Sequence, residues 1–373
     1  PAESVGIKTD TLNRRGVWKK RKEKAKKQAS EVVGSVLSAY ALRSKTKRTP
    51  FVSDKEMELS FLKQFPFEDT VDQVKAWNEI SHDMSSDNPM DRLLCGDVGF
   101  GKTEIAIRAS FRAMLSGAPV LVLAPTTLLV EQLVMSFRRR LKFFGGRVDS
   151  VSRLKARTEI ERTKEAWNIK RIDVLIGTHV LLHDDLYLTG VGLIIIDEEH
   201  RFGVKQKEKI RSIKHNVDVL SMSATPIPRT LNLALTGIRQ ISTLNSAPKS
   251  RHPIETRIVY FNEDLIKAVI QKEISRGGQV FFVHNDIKTT PNYIDLLSSL
   301  LPSVSVKEIN GKMPPRELEK IMMRFVKQDI DVLVCTSIIE TGLDIPNTNT
   351  VIINNAHLFG LSQLYQIRGR VGR

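Results

Sequence analysis

RLLCGDVGFGKTEIAIRASFRAM, residues 92–114, is the stretch that decides the fold class. It opens on a short apolar run and closes on a segment with apolar residues at helical spacing. Between them GDVGFGKT, at 96–103, matches the phosphate-binding pattern G-x-x-x-x-G-K-[ST]. Glycines let backbone N–H groups curl around phosphate oxygens, and the positive end of the following helix adds to the attraction. Gly96, Asp97, Val98, Gly99, Phe100 and Gly101 would form the cradle. Lys102 would neutralise the β- and γ-phosphates of ATP, and the Thr103 hydroxyl would reach Mg²⁺. A chance match at four fixed positions is expected on the order of once in a hundred such chains, given ordinary glycine usage. Strand, phosphate turn and helix in that order predict an α/β domain that binds a nucleotide.

The pattern continues outward. VLVLAP (120–125), RVDSVS (147–152), DVLIGT (173–178), LIIIDE (193–198) and DVLSMSAT (218–225) are nearly continuous in Val, Ile and Leu. Such runs suit strands of a parallel sheet covered on both faces. LNSAPKSRHP, at 244–253, is polar and proline-bearing and is expected to be a linker. A second series follows: ETRIVY (255–260), QVFFVHN (279–285), VSVKEIN (304–310), DVLVCT (331–336) and TVIINN (350–355), separated by helical pieces such as DLIKAVIQKEISR and RELEKIMMRFVKQ. The organisation predicted is a segment over 1–51, one α/β domain over 52–245 and a second over 246–373. Within the first segment, apolar residues from Ala25 to Tyr40 fall at spacings of three and four, which predicts one long helix over about 17–43.

Composition narrows the class. The 373 residues are 41% hydrophobic and 27% charged, a globular balance that excludes a disordered or collagen-like chain. No apolar run approaches the roughly 18 residues of a membrane span, so no membrane partner is expected. Cys95 and Cys335 lie far apart in apolar runs, as expected of buried thiols in a reducing, cytoplasmic setting. Net charge is +15, and residues 1–50 hold 14 Lys and Arg against four acids. A polyanion partner fits this balance, although a solvated helix face would carry the same residues.

Two more motifs carry chemistry. In LIIIDEEH (193–200) an apolar strand ends in carboxylates, for which packing offers no reason. Beside a phosphate loop, Asp197 would hold Mg²⁺ and Glu198 would act as base or orienter for water. QIRGRVGR closes the chain in the second domain, where Arg370 and Arg373 would act as arginine fingers reaching the γ-phosphate across a cleft.

Taken in order, GDVGFGKT, DEEH, SATPIPRT (223–230), TSIIETGLDIP (336–346) and QIRGRVGR resemble motifs I, II, III, V and VI of helicase superfamily 2. PTTLLVEQ (125–132) resembles motif Ia, GTH (177–179) motif Ic, and PFEDTVDQ (66–73) the adenine-reading segment. Within the superfamily the chain is similar to RecG-like double-stranded DNA translocases, and most of all to the bacterial transcription-repair coupling factors, the Mfd family. Phe100 and DEEH stand where RecG-type chains carry Ser and DEQH. The basic helix resembles that family's long linking helix, entered near Trp18.

The resemblance implies two tandem RecA-like domains behind a basic helix, and ATP hydrolysis between the lobes to move on duplex DNA. It implies that Gln73 reads adenine and that Phe65 or Phe67 packs on the base. Gly342 and Asp344 would contact nucleotide from the second lobe. His200, Arg201, Ser223, Thr225 and Arg229 would couple the cleft to DNA. Thr126, Thr127, Thr178, His179, Asn285 and Thr336 would meet the phosphate backbone without sequence preference. RNA polymerase and excision-repair proteins are the implied partners, through regions mostly outside this chain. Asn354 and Asn355 depart from the family, which usually has a charged residue there. The sequence stops directly after motif VI, where the family continues into a helical hairpin and a regulatory domain, so a motor fragment is expected. No strand-separating element is visible, which favours translocation over unwinding. The alternatives are a RecG-like fork-remodelling helicase and an ATP-gated DNA-binding module with little turnover.

Overall fold

A computed structural model describes residues 46–182, 188, 190–203, 206, 209–210, 216–224, 239–248, 254–336, 345 and 347–372. The helix expected over 17–43 lies outside them. The helices are α1 (Lys55–Lys63), α2 (Val71–Met84), α3 (Lys102–Leu115), α4 (Thr127–Leu141), α5 (Arg157–Asn168), α6 (Glu263–Ser275), α7 (Thr290–Leu300), α8 (Pro315–Val326) and α9 (Leu361–Arg368). The first lobe contains β1 (Asp91–Gly96), β2 (Val120–Leu123), β3 (Val148–Val151), β4 (Val174–Gly177), β5 (Leu193–Asp197), β6 (Asp218–Ser223) and β7 (Gln240–Leu244). They form one sheet in the order β3-β4-β2-β5-β6-β1-β7, parallel throughout. The second lobe has β8 (Gln279–Val283), β9 (Val306–Ile309), β10 (Val332–Cys335) and β11 (Thr348–Ile353), also parallel, in the order β11-β8-β10-β9.

The two-residue period of a strand explains why these runs are apolar throughout. In β2, Val120 and Val122 pack with Trp77, Ile105 and Leu133 on one face, while Leu121 and Leu123 pack with Trp167 and Phe202 on the other. β5 splits the same way, Leu193 and Ile195 against Ile194 and Ile196. In the second lobe Phe281 and Val283 face one cluster, Val280 and Phe282 the other. Each of these central strands is thus covered on both faces, the condition under which parallel sheets occur. Cys95 and Cys335 are both buried free thiols.

One sequence expectation fails at the strand level, and one strand was not expected. Residues 255–260 are not a strand: they pair with none of the four strands of the second sheet, and Ile258 is 97% exposed. Strand propensity measures fit to a pleated, half-buried surface, and this run has no such surface. Conversely, QISTL forms β7, which the sequence reading passed over just ahead of the linker. Its pattern is mixed because it lies at the edge of the sheet, paired among the described residues with β1 alone.

Arg48 and Lys47, counted among the basic residues of the first fifty, are engaged in the fold. Lys47 pairs with Asp87 at 2.6 Å. Arg48 donates from Nε and Nη2 to the two oxygens of the fully buried Asp218, at 2.6 and 2.7 Å. Asp218 also accepts from the Met90 N–H at 2.8 Å, so this pair ties the chain before α1 to the start of β6. Removing one partner of a buried ion pair leaves the other charge uncompensated. Arg48→Ala should therefore cost the first lobe about 3–5 kcal/mol in urea unfolding. A loss below about 1 kcal/mol would mean that the pair behaves as a solvated one.

Candidate active site between the two lobes

Strand order assembles the site. β5, β6 and β1 are neighbours, with Cys95 level with Ser223 and Asp197 level with Met222. Their C-terminal ends therefore bring the phosphate loop, DEEH and SAT side by side, although more than a hundred residues separate the first from the last. This is where parallel α/β sheets place ligands.

The phosphate loop runs from β1 into α3. Gly99 and Gly101 have φ of +82° and +84°, a region that costs an L-residue a steric penalty and glycine none. Gly101 has a second reason to lack a side chain: a Cβ there would lie 2.2 Å from Gln73 Nε2. Gly96 packs so closely on β7 that a Cβ would sit 2.8 Å from that of Leu244. Lys102 Nζ donates to the carbonyls of Gly96 and Asp97, at 2.6 and 2.9 Å. Burial lowers its pKa, opposed by the nearby charges of Asp197, Glu198 and Asp97. Burial pushes Asp197 up to about 7, assisted by the charge of Glu198 and opposed by Lys102 and Arg370.

Glu198 is placed by strain and hydrogen bonds together. Its φ is +51°, unusual for a residue with a side chain. Its N–H donates to the Met222 carbonyl at 2.9 Å. Its carboxylate accepts from the Ala224 N–H at 3.0 Å and the Ser223 hydroxyl at 3.4 Å. DEEH and SAT are thereby locked to each other. The third acid of the motif, Glu199, accepts from the Ser221 hydroxyl at 2.8 Å and from Arg239 at 3.0 Å, and Arg239 also pairs with Asp91 at 2.9 Å. Sequence reasoning missed Arg239 because it lies in no motif; its partners come from β1, β6 and the turn after β5.

The second lobe contributes the turn after α9. At Gly369 a Cβ would stand 3.3 Å from Val98 Cβ, so this turn rests on the phosphate loop. Arg370 is buried there, within electrostatic reach of Lys102 and Asp197. Arg373, Gly342, Asp344, Thr225 and Arg229 lie outside the described residues, as does the side chain of His200.

The donor chemistry at the site fits Mg²⁺. Thr103 offers a hydroxyl and Asp197 a carboxylate, both hard oxygens. Mg²⁺ commonly takes few protein ligands and completes its shell with phosphate and water. Among the described residues no group of three or more His, Cys, Asp and Glu forms a protein-only metal cage.

Gln73 is buried, and its amide is engaged with the protein: Oε1 accepts from Thr70 N–H at 2.8 Å and Nε2 donates to the Phe100 carbonyl at 2.9 Å. Phe65 lies under Arg108 and Arg140, with guanidinium-to-ring distances of 5.2 and 5.5 Å, whereas Phe67 is exposed.

The expected backbone contacts are less uniform. Thr126 caps α4, accepting from the Leu129 N–H at 3.3 Å. The Thr127 hydroxyl bonds to Glu319 of α8, across the lobes. Thr127, Thr178 and Thr336 are all buried in this arrangement. His179 is half-buried and Asn285 exposed. Asn285 borders a cleft at the ends of β8 and β11, beside His284 and Asn354. There Asn354 Nδ2 pairs with His284 Nδ1 at 3.0 Å, and His284 Nε2 with the Thr289 hydroxyl at 2.7 Å. This gives the unusual Asn354 its place in the fold.

Two parallel-sheet lobes, a phosphate loop and DEEH on one, and a buried arginine brought to them by the other define a helicase-type motor. Residues 70–234 match the DEAD/DEAH box helicase family, and residues 262–373 match the Helicase conserved C-terminal domain. The chain belongs to helicase superfamily 2, and its two lobes are RecA-like domains. More particularly, it is 42% identical over 368 residues to a transcription-repair-coupling factor of Staphylococcus aureus (strain USA300), covering 98% of this chain and 32% of that protein. It is 44% identical over 356 residues to the Bacillus subtilis (strain 168) transcription-repair-coupling factor, covering 95% and 30%. The chain thus spans about a third of these curated relatives. The structure of RecG bound to a three-way DNA junction superposes with a TM-score of 0.75 at 34% identity, covering 91% of this chain and 47% of that one. The DEAD-box helicase Mss116, at 18% identity and a TM-score of 0.64, shares the fold.

The double constraint at Gly101 is open to test. Gly101→Ala must place a side chain at φ +84° and displace Gln73 from the loop. The variant should lose roughly 1–2 kcal/mol from the backbone effect alone, read as a lower midpoint in thermal unfolding. A midpoint equal to that of the parent would show that the loop relaxes without cost.

Proposed function

We propose that this chain is an ATP-dependent double-stranded DNA translocase motor of the transcription-repair-coupling-factor type, hydrolysing ATP between its lobes. The observation that carries the reading is Arg370. A second-lobe arginine is buried in the electrostatic field of the first lobe's Lys102 and Asp197. Two α/β domains need no such arginine for their own cores. A γ-phosphate between them does.

In this reading Lys102 exchanges the Gly96 and Asp97 carbonyls for the β- and γ-phosphates of ATP. The N–H groups of the loop and the start of α3 bind the remaining phosphate oxygens. Thr103 and Asp197 hold Mg²⁺, which supplies charge neutralisation at the phosphates. Glu198, fixed by Ala224 and Ser223, orients the attacking water and takes its proton. Arg370 stabilises the charge that develops on the transferred phosphoryl group. ATP bridges the lobes and phosphate release breaks the bridge, so turnover opens and closes the cleft. Arg373 is the second finger, and Gly342 and Asp344 complete the second lobe's nucleotide contacts.

Duplex DNA lies across both lobes and is held through phosphates, so binding is insensitive to sequence and steeply dependent on salt. Asn285 and His179 are the accessible candidates for those contacts. Thr126, Thr127, Thr178 and Thr336 join them if the lobes rearrange on the duplex. By analogy with the coupling factors, the motor works against a stalled RNA polymerase and hands the site to repair proteins. The higher identity to coupling factors than to RecG favours this over fork remodelling.

ATP turnover with and without linear duplex DNA tests the proposal. DNA should stimulate it. Glu198→Gln should still bind ATP but turn over at least ~100-fold more slowly, the scale expected for loss of a general base. Arg370→Ala should lower kcat on the order of 10³-fold. Near-parental turnover in both variants would rule out the assigned roles. ATP binding without turnover in the parent would instead support an ATP-gated binding module.

A further inference from the structure

The segment Phe65–Gln73 is fastened at two places, one on the phosphate loop and one on the helix that follows it. One is the bond from Gln73 to the Phe100 carbonyl at 2.9 Å. The other is Arg108, six residues beyond Lys102 on α3. Its Nη1 and Nη2 donate to the two oxygens of Asp69, both at 2.8 Å. Its guanidinium lies over the Phe65 ring at 5.2 Å, and Phe65 meets Phe67 edge-on at 5.5 Å. Asp69 directly precedes Thr70, whose hydroxyl closes the capping box with Gln73. Phosphate-holding Lys102 and the whole of this segment are therefore referred to one rigid helix.

Asp69 supplies the second carboxylate that two neighbouring arginines require, and it also fixes a position. Arg108 already pairs with the buried Glu104 through Nε at 3.0 Å. Glu104 in turn is shared with Arg140, at 2.7 and 3.0 Å. What the second, two-pronged pair adds is position. A planar fork meeting a carboxylate at two points fixes distance and angle together, which a single-point ammonium does not.

We propose that Arg108 is a positioning residue for the nucleotide base: through Asp69 and Phe65 it holds exposed Phe67 and the Gln73 turn at a fixed height over the phosphate loop, and so sets the preference for adenine. This rests on the nucleotide reading given above. Arg108 touches no phosphate, so its loss should penalise recognition of the base and leave recognition of the phosphates.

The test is calorimetric titration of the full chain, in Mg²⁺, with ADP, GDP and tripolyphosphate, which carries no base. The parent should bind ADP more tightly than GDP. Arg108→Lys, which keeps the charge and loses the fork, should weaken ADP about 10-fold, the size of one lost charge-assisted contact. Tripolyphosphate affinity should be unchanged, and in turnover the loss should fall on KM more than on kcat. Asp69→Asn, at a partly exposed position, should reproduce the effect and serves if Arg108→Lys fails to fold. Equal weakening of ADP and tripolyphosphate, or an unchanged ADP-to-GDP ratio in both variants, would overturn the positioning role. A parent that binds tripolyphosphate as tightly as ADP would overturn this inference alone. A parent that binds none of the three would overturn the nucleotide reading with it.

Discussion

A half-buried lysine and a half-buried aspartate, each in the other's electrostatic field, form the interaction on which the rest of the site depends. Lys102 and Asp197 are both partly withdrawn from water, and each lowers the cost of the other's charge. Their pKa values show the tension. Burial drives Lys102 down and Asp197 up to about 7, and each opposes the shift of the other. Glu198 adds a negative charge to this cluster and Arg370 a positive one. Arg370 comes from the other lobe, so the electrostatic balance of the cleft is also a statement about lobe position. A ligand carrying phosphates and a divalent cation alters that balance on both sides, which is the physical basis for coupling nucleotide state to lobe movement in the proposed motor.

Backbone conformation keeps this cluster in place. Three adjacent parallel strands end at the same level, and the chain then turns sharply at each end. Gly99 and Gly101 make one turn in the left-handed region, where glycine is unstrained. Glu198 makes another in the same region with a full side chain, a strained position sustained by three hydrogen bonds to the end of β6. Behind them, ion pairs act as struts. Arg239 braces Glu199 against Asp91, and Arg108 braces the segment before α2 against α3. The functional groups lie on turns, but each turn is pinned to a strand end or to a helix.

The lobes meet through more than the cleft. Leu128, at the start of α4, is buried in the second lobe's cluster with Met322 and Phe325. Its neighbour Thr127 bonds to Glu319 on the helix that also supplies those two residues. The motif expected to touch DNA is therefore part of the interface between lobes in this arrangement. A carboxylate on the Thr127 hydroxyl occupies the kind of position that a phosphate oxygen would take, so the proposed contact with DNA and the contact between lobes would draw on the same group.

What the sequence determined by itself was whatever short-range chemistry decides. The phosphate loop and DEEH were legible as motifs because fixed residues at fixed spacing serve one local purpose. The parallel sheets were legible because strands covered on both faces are apolar throughout. Tertiary structure decided which of those residues are accessible and which are already engaged. Thr126 became a cap, Thr127 an interface residue, and Thr178 and Thr336 were buried, because a threonine at a strand end serves capping, packing and phosphate contact equally well. ETRIVY had strand composition but no neighbouring edge, and QISTL had an edge but a mixed composition. Arg239 and Arg108 carry no sequence signal, since a guanidinium acquires its meaning from carboxylates that the fold brings to it from distant parts of the chain.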